Sequence, residues 1–161
     1  MGLKIGEFIA DQKPQEEGVW IDFDEEQGVA FKIAYIDNRK YTNAFASLSM
    51  KARRKNRGRE LPPHIFTQVT NEAMVGTILL DWKGLKDEID DPDKPGQKKE
   101  VEFPFNEKNA LRLLKESKVF RDFIQEESMI LDNFQQGDAA PEEASDKEEL
   151  KSGAAVAADE G

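Results

Sequence analysis

The sequence predicts an α+β fold in which an N-terminal β-hairpin packs on about four helices and an acidic C-terminal tail is disordered. Two segments of alternating apolar residues, 19–23 and 29–36, are joined by a short turn. Four later segments place apolar residues at helical spacing, and residues 136–161 have too few large apolar side chains to build a core. The domain organisation that we expect is an arm at residues 1–18, a folded domain at residues 19–135 and the tail at residues 136–161.

Period-two patterning on both sides of residues 24–28 indicates the hairpin. Val19, Ile21 and Phe23 fall on one face of the first strand, and the same alternation resumes at Val29. A five-residue connection that ends in glycine is typical of a hairpin loop. Because a lone hairpin is only marginally stable in water, we expect helices against one of its faces.

Capping residues mark the starts of three predicted helices. Asp37 and Asn38 are alternative caps for helix one, which carries apolar residues at helical spacing and basic residues near its end. Asn106 caps a later helix rich in leucine. Ser117 caps the last helix, whose apolar residues lie on a single face.

The most apolar part of the chain leads into Asp81-Trp82-Lys83-Gly84-Leu85. We predict helix two over residues 63–81, because a helical apolar pattern continues up to this corner. Residues 86–100 follow as an exposed, mobile loop. The carboxylates at residues 87–93 raise the alternative of a calcium site or a metal-dependent hydrolase. Prolines and a lysine interrupt the ligand spacing of an EF-hand, so a solvated loop is the better interpretation.

The net charge of −10 is spread unevenly along the chain. Residues 38–59 contain eight basic and no acidic residues, an arrangement unlike that of a uniformly basic nucleic-acid-binding protein. The absence of cysteine excludes disulfides, thiolate metal sites and a cysteine nucleophile. Because there is no signal peptide and no apolar run long enough to span a bilayer, we expect a soluble cytoplasmic protein without a membrane partner.

No catalytic set is recognisable in the sequence. P-loop, GxSxG, HExxH and GxGxxG motifs are all absent. The single histidine, His64, stands beside two prolines at a predicted helix start, which indicates a cap or a surface residue. We therefore predict a non-enzymatic protein with no catalytic residues, no cofactor and no bound metal.

The basic end of helix one is the strongest signal for a binding surface, with six cations in residues 51–59. Stabilisation of the helix macrodipole accounts for only a few of them. Three interpretations remain: pairing with the protein's own acidic segments, docking of an acidic protein, and contact with nucleic acid. Since no aromatic residues interleave with the cations, we favour a protein partner or self-pairing. We predict as partner-binding residues Lys51, Arg53, Arg54 and Arg57, together with Phe123 and Phe134 as exposed apolar residues of the last helix.

The order of these features resembles the tail assembly chaperones of long-tailed bacteriophages, in particular their short, non-frameshifted form. The resemblance covers about residues 17–135, and the order and spacing of its parts carry it. Residues 86–100 depart from the family, being longer and more acidic than the usual turn. The matching parts are Gly18-Val19-Trp20-Ile21-Asp22-Phe23, the corner at residues 80–85, the Phe103-Pro104-Phe105-Asn106 segment continuing to residue 114, and residues 119–124.

The resemblance implies a late, non-enzymatic protein that binds the tape measure protein, a long and aggregation-prone helical polypeptide. It would keep this partner soluble while tail tube subunits polymerise around it. The implied location is the host cell cytoplasm, with absence from the mature virion. Contact with the tail tube protein would come through a longer, frameshifted form, and self-association is a further alternative. A small nucleic-acid-associated regulator that uses residues 38–59 is the competing functional hypothesis.

Overall fold

The structure, a computed structural model, describes residues 2–135 and confirms the predicted α+β class. The predicted tail at residues 136–161 lies outside the described residues. No helix within the described part has the length and apolar character needed to cross a membrane. The elements in chain order are α1 (Gln12–Glu17), β1 (Val19–Asp24), β2 (Val29–Ile33), α2 (Arg39–Lys55), α3 (Pro63–Met74), β3 (Leu79–Lys83), β4 (Lys86–Asp90), β5 (Lys98–Glu102), α4 (Glu107–Glu116) and α5 (Lys118–Met129), with short 3-10 turns at Ile5–Phe8 and Leu131–Phe134.

A three-stranded antiparallel sheet forms the centre of the domain, with β2 between β1 and β3. Phe31 of β2 lies opposite Ile21 of β1 and Trp82 of β3. The ring of Phe31 also meets that of Phe120 in α5, with centroids 5.0 Å apart. The predicted hairpin is therefore confirmed, and the expected helix lies against it.

The prediction that helix two extends to Asp81 is wrong. The helix α3 ends at Met74, and Leu79 already belongs to β3. Between them Gly76 adopts φ +81°, and its N–H donates to the Leu79 carbonyl oxygen at 2.9 Å. Ile78 and Leu79 are both fully buried. A short apolar run suits a buried strand as well as a helix, and its periodicity does not distinguish the two.

The prediction of a loop at residues 86–100 is also wrong, because β4 and β5 pair there as a regular antiparallel hairpin. Lys86 lies opposite Glu102, and Asp90 lies opposite Lys98. Most side chains of both strands are exposed and charged, as the sequence indicated. The apolar alternation that reveals a half-buried strand is therefore missing, although backbone pairing is complete.

The predicted arm at residues 1–18 contacts the rest of the described chain. Pro14 in α1 is buried, and the Asp11 N–H donates to the Phe134 carbonyl oxygen at 2.9 Å. The side-chain amide of Gln135 donates to three carbonyl oxygens of the arm, each at 3.1 Å. These hydrogen bonds hold the two ends of the described chain together.

Trp82 is the aromatic centre at which the chain after β5 docks on the sheet. It is 6 % exposed, and its Nε1 donates to the Phe103 carbonyl oxygen at 2.7 Å. The indole stacks on the Phe103 ring with centroids 5.5 Å apart, and it meets the Phe105 ring edge-on at 5.0 Å. The Trp-Lys-Gly corner thus organises the core as the sequence suggested, but from a strand and not from a helix end.

Gly84 provides a stability prediction, because its backbone is left-handed and closely packed. It has φ +84°, and an added Cβ would lie 2.3 Å from the Gly28 carbonyl oxygen. We expect Gly84→Ala to lower the free energy of unfolding by about 2–4 kcal/mol, since conformational strain and a backbone clash combine. Urea denaturation followed by circular dichroism measures this change.

Gly96 is the matched control for that substitution. Its φ is +79°, and no neighbouring atom lies within 4 Å of an added Cβ. Gly96→Ala therefore reports the strain alone, which we expect to be about 1 kcal/mol. Equal losses for the two variants would contradict the clash at Gly84.

Candidate partner-binding groove

The helix α2 lies outside the core, since none of its 17 residues is buried. It packs on α3, where the rings of Phe45 and Phe66 approach to 5.8 Å between centroids. Val69, Ala73 and Met74 of α3 are buried in the domain. The helix α3 therefore carries α2 on the surface of the domain.

Asn38 fixes the N-terminal end of α2 and is the cap that the sequence left open between two candidates. It is 3 % exposed, and its Oδ1 accepts a hydrogen bond from the Tyr41 N–H at 2.8 Å. Its Nδ2 donates to the carbonyl oxygens of Tyr35 and Thr77, which ties the helix start to the turn before β3. Partial burial raises the pKa of the Tyr41 hydroxyl above its ordinary value. The start of α2 is thus anchored while its second half stays at the surface.

An open groove of about 500 Å³ runs between the second half of α2 and the helix α3. Its apolar floor includes Leu48 and Ile65, which are half-buried, and Val69, which is buried. An uncovered apolar floor whose α2 side carries two lysines suits an amphipathic segment with acidic side chains beside apolar ones. The polar residues of the rim are Lys51, Lys55, Asn56, His64, Gln68 and Glu72.

The six cations of residues 51–59 are all exposed. The ion pairs found within residues 2–135 involve Lys86, Arg112 and Lys118, and none includes a cation of this segment. Ion pairs between the basic segment and the protein's own carboxylates are therefore not observed in the described part of the chain. Three of the cations lie in the last turn of α2, where they complement the negative end of the macrodipole.

One carboxylate of the acidic stretch at residues 87–93, Asp87, contacts the helix α4. Asp87 accepts a hydrogen bond from Arg112 Nη1 at 3.3 Å, and Arg112 Nε donates to Glu116 at 3.2 Å. The hydrogen bond to Glu116, followed by that to Asp87, raises the pKa of Arg112. These contacts join β4 to α4. Within residues 2–135, no group of three or more histidine or carboxylate side chains is arranged to hold a metal ion.

A family model described as YdaY prophage protein matches residues 36–146, which is more than half of the 161-residue chain. The chain belongs to the YdaY prophage protein family. It is therefore a phage-derived protein, and the matched residues include both helices of the groove. No curated protein and no solved structure shows significant similarity to the chain.

The four basic residues predicted to bind a partner lie at two places in this YdaY-family protein. Lys51 is on the rim of the groove, while Arg53, Arg54 and Arg57 are exposed near the C-terminal end of α2. Lys55 also lines the groove but was not among the predicted binding residues. The sequence does contain a signal for Lys55. It follows Lys51 by four residues, which places both side chains on one face of the helix. The floor of the groove was also missed, since it depends on how α2 and α3 pack.

The expectation that Phe123 and Phe134 form an exposed apolar surface is wrong for Phe134. That side chain is fully buried, and its ring packs 5.1 Å from the ring of Tyr35. It is buried because the chain after α5 turns back onto the domain in the Leu131–Phe134 turn. Phe123 is half-buried, with its ring 5.0 Å from the ring of Phe23. The single apolar face predicted for the last helix therefore belongs mainly to the core.

Proposed function

We propose that this YdaY-family protein is a non-enzymatic tail assembly chaperone that binds the tape measure protein through the groove between α2 and α3. The observation that carries the proposal is the uncovered apolar floor bordered by cations that have no carboxylate partner in the described chain. Phage origin and the resemblance of residues 17–135 to tail assembly chaperones support the same function. A long helical polypeptide offers many amphipathic segments of the kind that such a groove accepts.

Binding of the tape measure protein is sufficient for this function, and no covalent bond needs to be made or broken. A chaperone that binds the aggregation-prone form lowers its free concentration and so slows its association with other copies. The net charge of −10 keeps copies of the complex apart, while the local positive charge at the end of α2 provides the attraction for an acidic partner. The negative net charge and the cations at the end of α2 thus have separate roles.

The remaining parts of the proposal follow from the function of a tail assembly chaperone. The protein acts in the host cell cytoplasm and is absent from the mature virion. Contact with the tail tube protein belongs to a longer, frameshifted form, and this chain supplies the tape measure contact.

Co-expression with the tape measure protein of the same phage is the direct test. We expect that partner to stay in the soluble fraction and to copurify with the tagged chaperone, and to sediment when the chaperone is omitted. Absence of copurification together with an unchanged soluble fraction would contradict the proposal.

Two variants show whether the groove is the surface responsible. Ile65→Asp places a charge on the groove floor and is expected to abolish both copurification and solubilisation. Ile89→Asp introduces the same charge at an apolar residue of β4 that is 41 % exposed, and it is expected to leave both unchanged. Circular dichroism first establishes that each variant is folded. Equal effects of the two substitutions would exclude the groove.

The six exposed cations of residues 51–59 also favour a second candidate, a small nucleic-acid-associated regulator. If all six contacted phosphates, the logarithm of the binding constant would fall with the logarithm of salt concentration with a slope of about −5. Fluorescence anisotropy with labelled DNA and RNA oligonucleotides over a salt series measures this slope. We expect no such binding at physiological salt, whereas a steep slope with tight binding would favour the regulator.

A further inference from the structure

The most basic and the most C-terminal segments of the chain carry charges of opposite sign. Residues 38–59 have eight basic and no acidic residues, hence +8, and residues 136–161 have two basic and eight acidic residues, hence −6. The cations of residues 51–59 have no carboxylate partner within residues 2–135. The acidic segment of the same chain is therefore a charge-complementary occupant for the groove.

The acidic segment also has the length to reach the groove. Gln135 is the last described residue, and Leu150 stands 150 − 135 = 15 residues after it. An extended chain of that length spans up to about 50 Å, whereas a domain of this size has a radius of gyration of only about 14 Å. That span exceeds twice the radius of gyration, so the groove is within reach of Leu150.

One part of the acidic segment has the chemistry that the groove requires. The order Glu148-Glu149-Leu150-Lys151 places a large apolar side chain directly after two carboxylates, and Glu142, Glu143 and Asp146 precede it. An apolar residue beside acidic ones matches an apolar floor beside cations. Residue 150 is the one leucine in residues 136–161.

We propose that residues 142–150 occupy the groove between α2 and α3 of the same chain, with Leu150 on its floor and the neighbouring carboxylates facing Lys51 and Lys55. A tether of this kind gives an effective concentration on the order of mM, so a segment of weak intrinsic affinity fills much of the site. An external acidic segment must displace it, and its apparent affinity is then lowered by about two- to tenfold. The role of this competition in tape measure binding rests on the proposed function, whereas occupancy of the groove does not.

A nitroxide label at Ser145→Cys tests the occupancy, because the chain contains no other cysteine. In the isotope-enriched full-length chain, we expect paramagnetic broadening of the amide resonances of residues that line the groove. The broadening should disappear in about 0.5 M salt, where the Debye length is only about 4 Å, and in the same chain with Lys51→Glu and Lys55→Glu. Broadening that is absent, or that centres on the lysines of β4 and β5, would overturn the proposal.

A mixed sample distinguishes the chain's own tail from that of a second copy. Spin-labelled chain without isotope enrichment is combined with enriched chain that carries no label. We expect no broadening of the groove resonances in this sample. Broadening as strong as in the chain that carries both the spin label and the isotopes would mean that a second copy supplies the occupant. The intramolecular proposal would then be overturned.

A synthetic peptide of residues 138–152 tests the competition without any phage partner. It is titrated into the full-length chain and into a variant with Glu142, Glu143, Glu148 and Glu149 changed to Gln. We expect the variant to bind the peptide about two- to tenfold more tightly, because its own tail no longer competes. Equal affinities would overturn the competition. Neither this titration nor the label experiment uses tape measure protein, so their failure is distinguishable from failure of the proposed function.

Discussion

Replacing Trp82 by alanine is expected to lower the free energy of unfolding by about 3–5 kcal/mol, the range found when a large aromatic side chain is removed from a core. The indole contacts the rings of Phe31, Phe103, Phe105 and Phe120, and its Nε1 donates to the Phe103 carbonyl oxygen. The substitution leaves a cavity at the junction of the sheet with the following chain. A typical domain has a total stability of only about 5–15 kcal/mol, so the variant is expected to be close to unfolding.

Two further tryptophan variants separate the causes of this loss. Trp82→Phe keeps much of the ring packing but removes the donor, and we expect it to lose about 1–3 kcal/mol. Trp20→Ala is the surface control, because Trp20 is 44 % exposed on the edge strand and meets the Lys83 ammonium at 4.8 Å from its ring. Its loss is expected to stay below about 1 kcal/mol. Urea denaturation of the three variants measures these changes, and a similar loss for Trp82→Ala and Trp20→Ala would contradict the central position of Trp82.

Reversing three charges beside the groove should have the largest effect on function. In the variant Lys51→Glu, Arg54→Glu, Lys55→Glu, we expect the affinity for a tape measure segment to fall by about 100-fold or more, since attraction becomes repulsion at the rim. All three side chains are exposed, and α2 contributes no buried residue. The free energy of unfolding should therefore change by only about 1 kcal/mol, mainly through the lost interaction with the helix macrodipole. Isothermal titration calorimetry and urea denaturation measure the two quantities.

The chain offers a matched control for the charge reversal. Lys94, Lys98 and Lys99 are exposed cations around the β4–β5 hairpin, and changing all three to Glu alters the net charge by the same amount. We expect this variant to bind the tape measure segment with an affinity close to that of the unchanged protein. Equal losses for the two triple variants would show that net charge, and not the groove, determines binding.

The parts of the fold with strong local signals were predictable from the sequence. Asn106 and Ser117 accept hydrogen bonds from backbone N–H groups three residues ahead of them, as predicted for caps. The first hairpin shows a clear period of two and is present. By contrast, residues 79–81 of β3 were predicted as the end of a helix because an apolar run continues from the helical pattern of α3 into them. The partner strand that selects the extended conformation lies about 50 residues earlier in the sequence.

The candidate site was predictable only in its charge. The basic segment is evident from composition, and Lys51 does line the groove. The apolar floor arises where α3 folds back on α2, and no local pattern specifies which residues of two helices will leave a gap between them. The burial of Phe134 was not predictable either. A residue at the end of an apolar helical face is buried or exposed depending on the direction of the chain after the helix, and here that direction is set by the Leu131–Phe134 turn.

The helix that carries the basic side of the proposed binding groove contributes no buried residue to the domain. The helix α2 is held at its first turn by Asn38 and along one side by α3, and none of its own side chains is buried. Most substitutions on its outer face should therefore leave folding intact while they change what the protein binds. Under the proposed function, a phage lineage whose partner changes in sequence could adapt by altering this one helix, and an engineer could redirect binding by the same route.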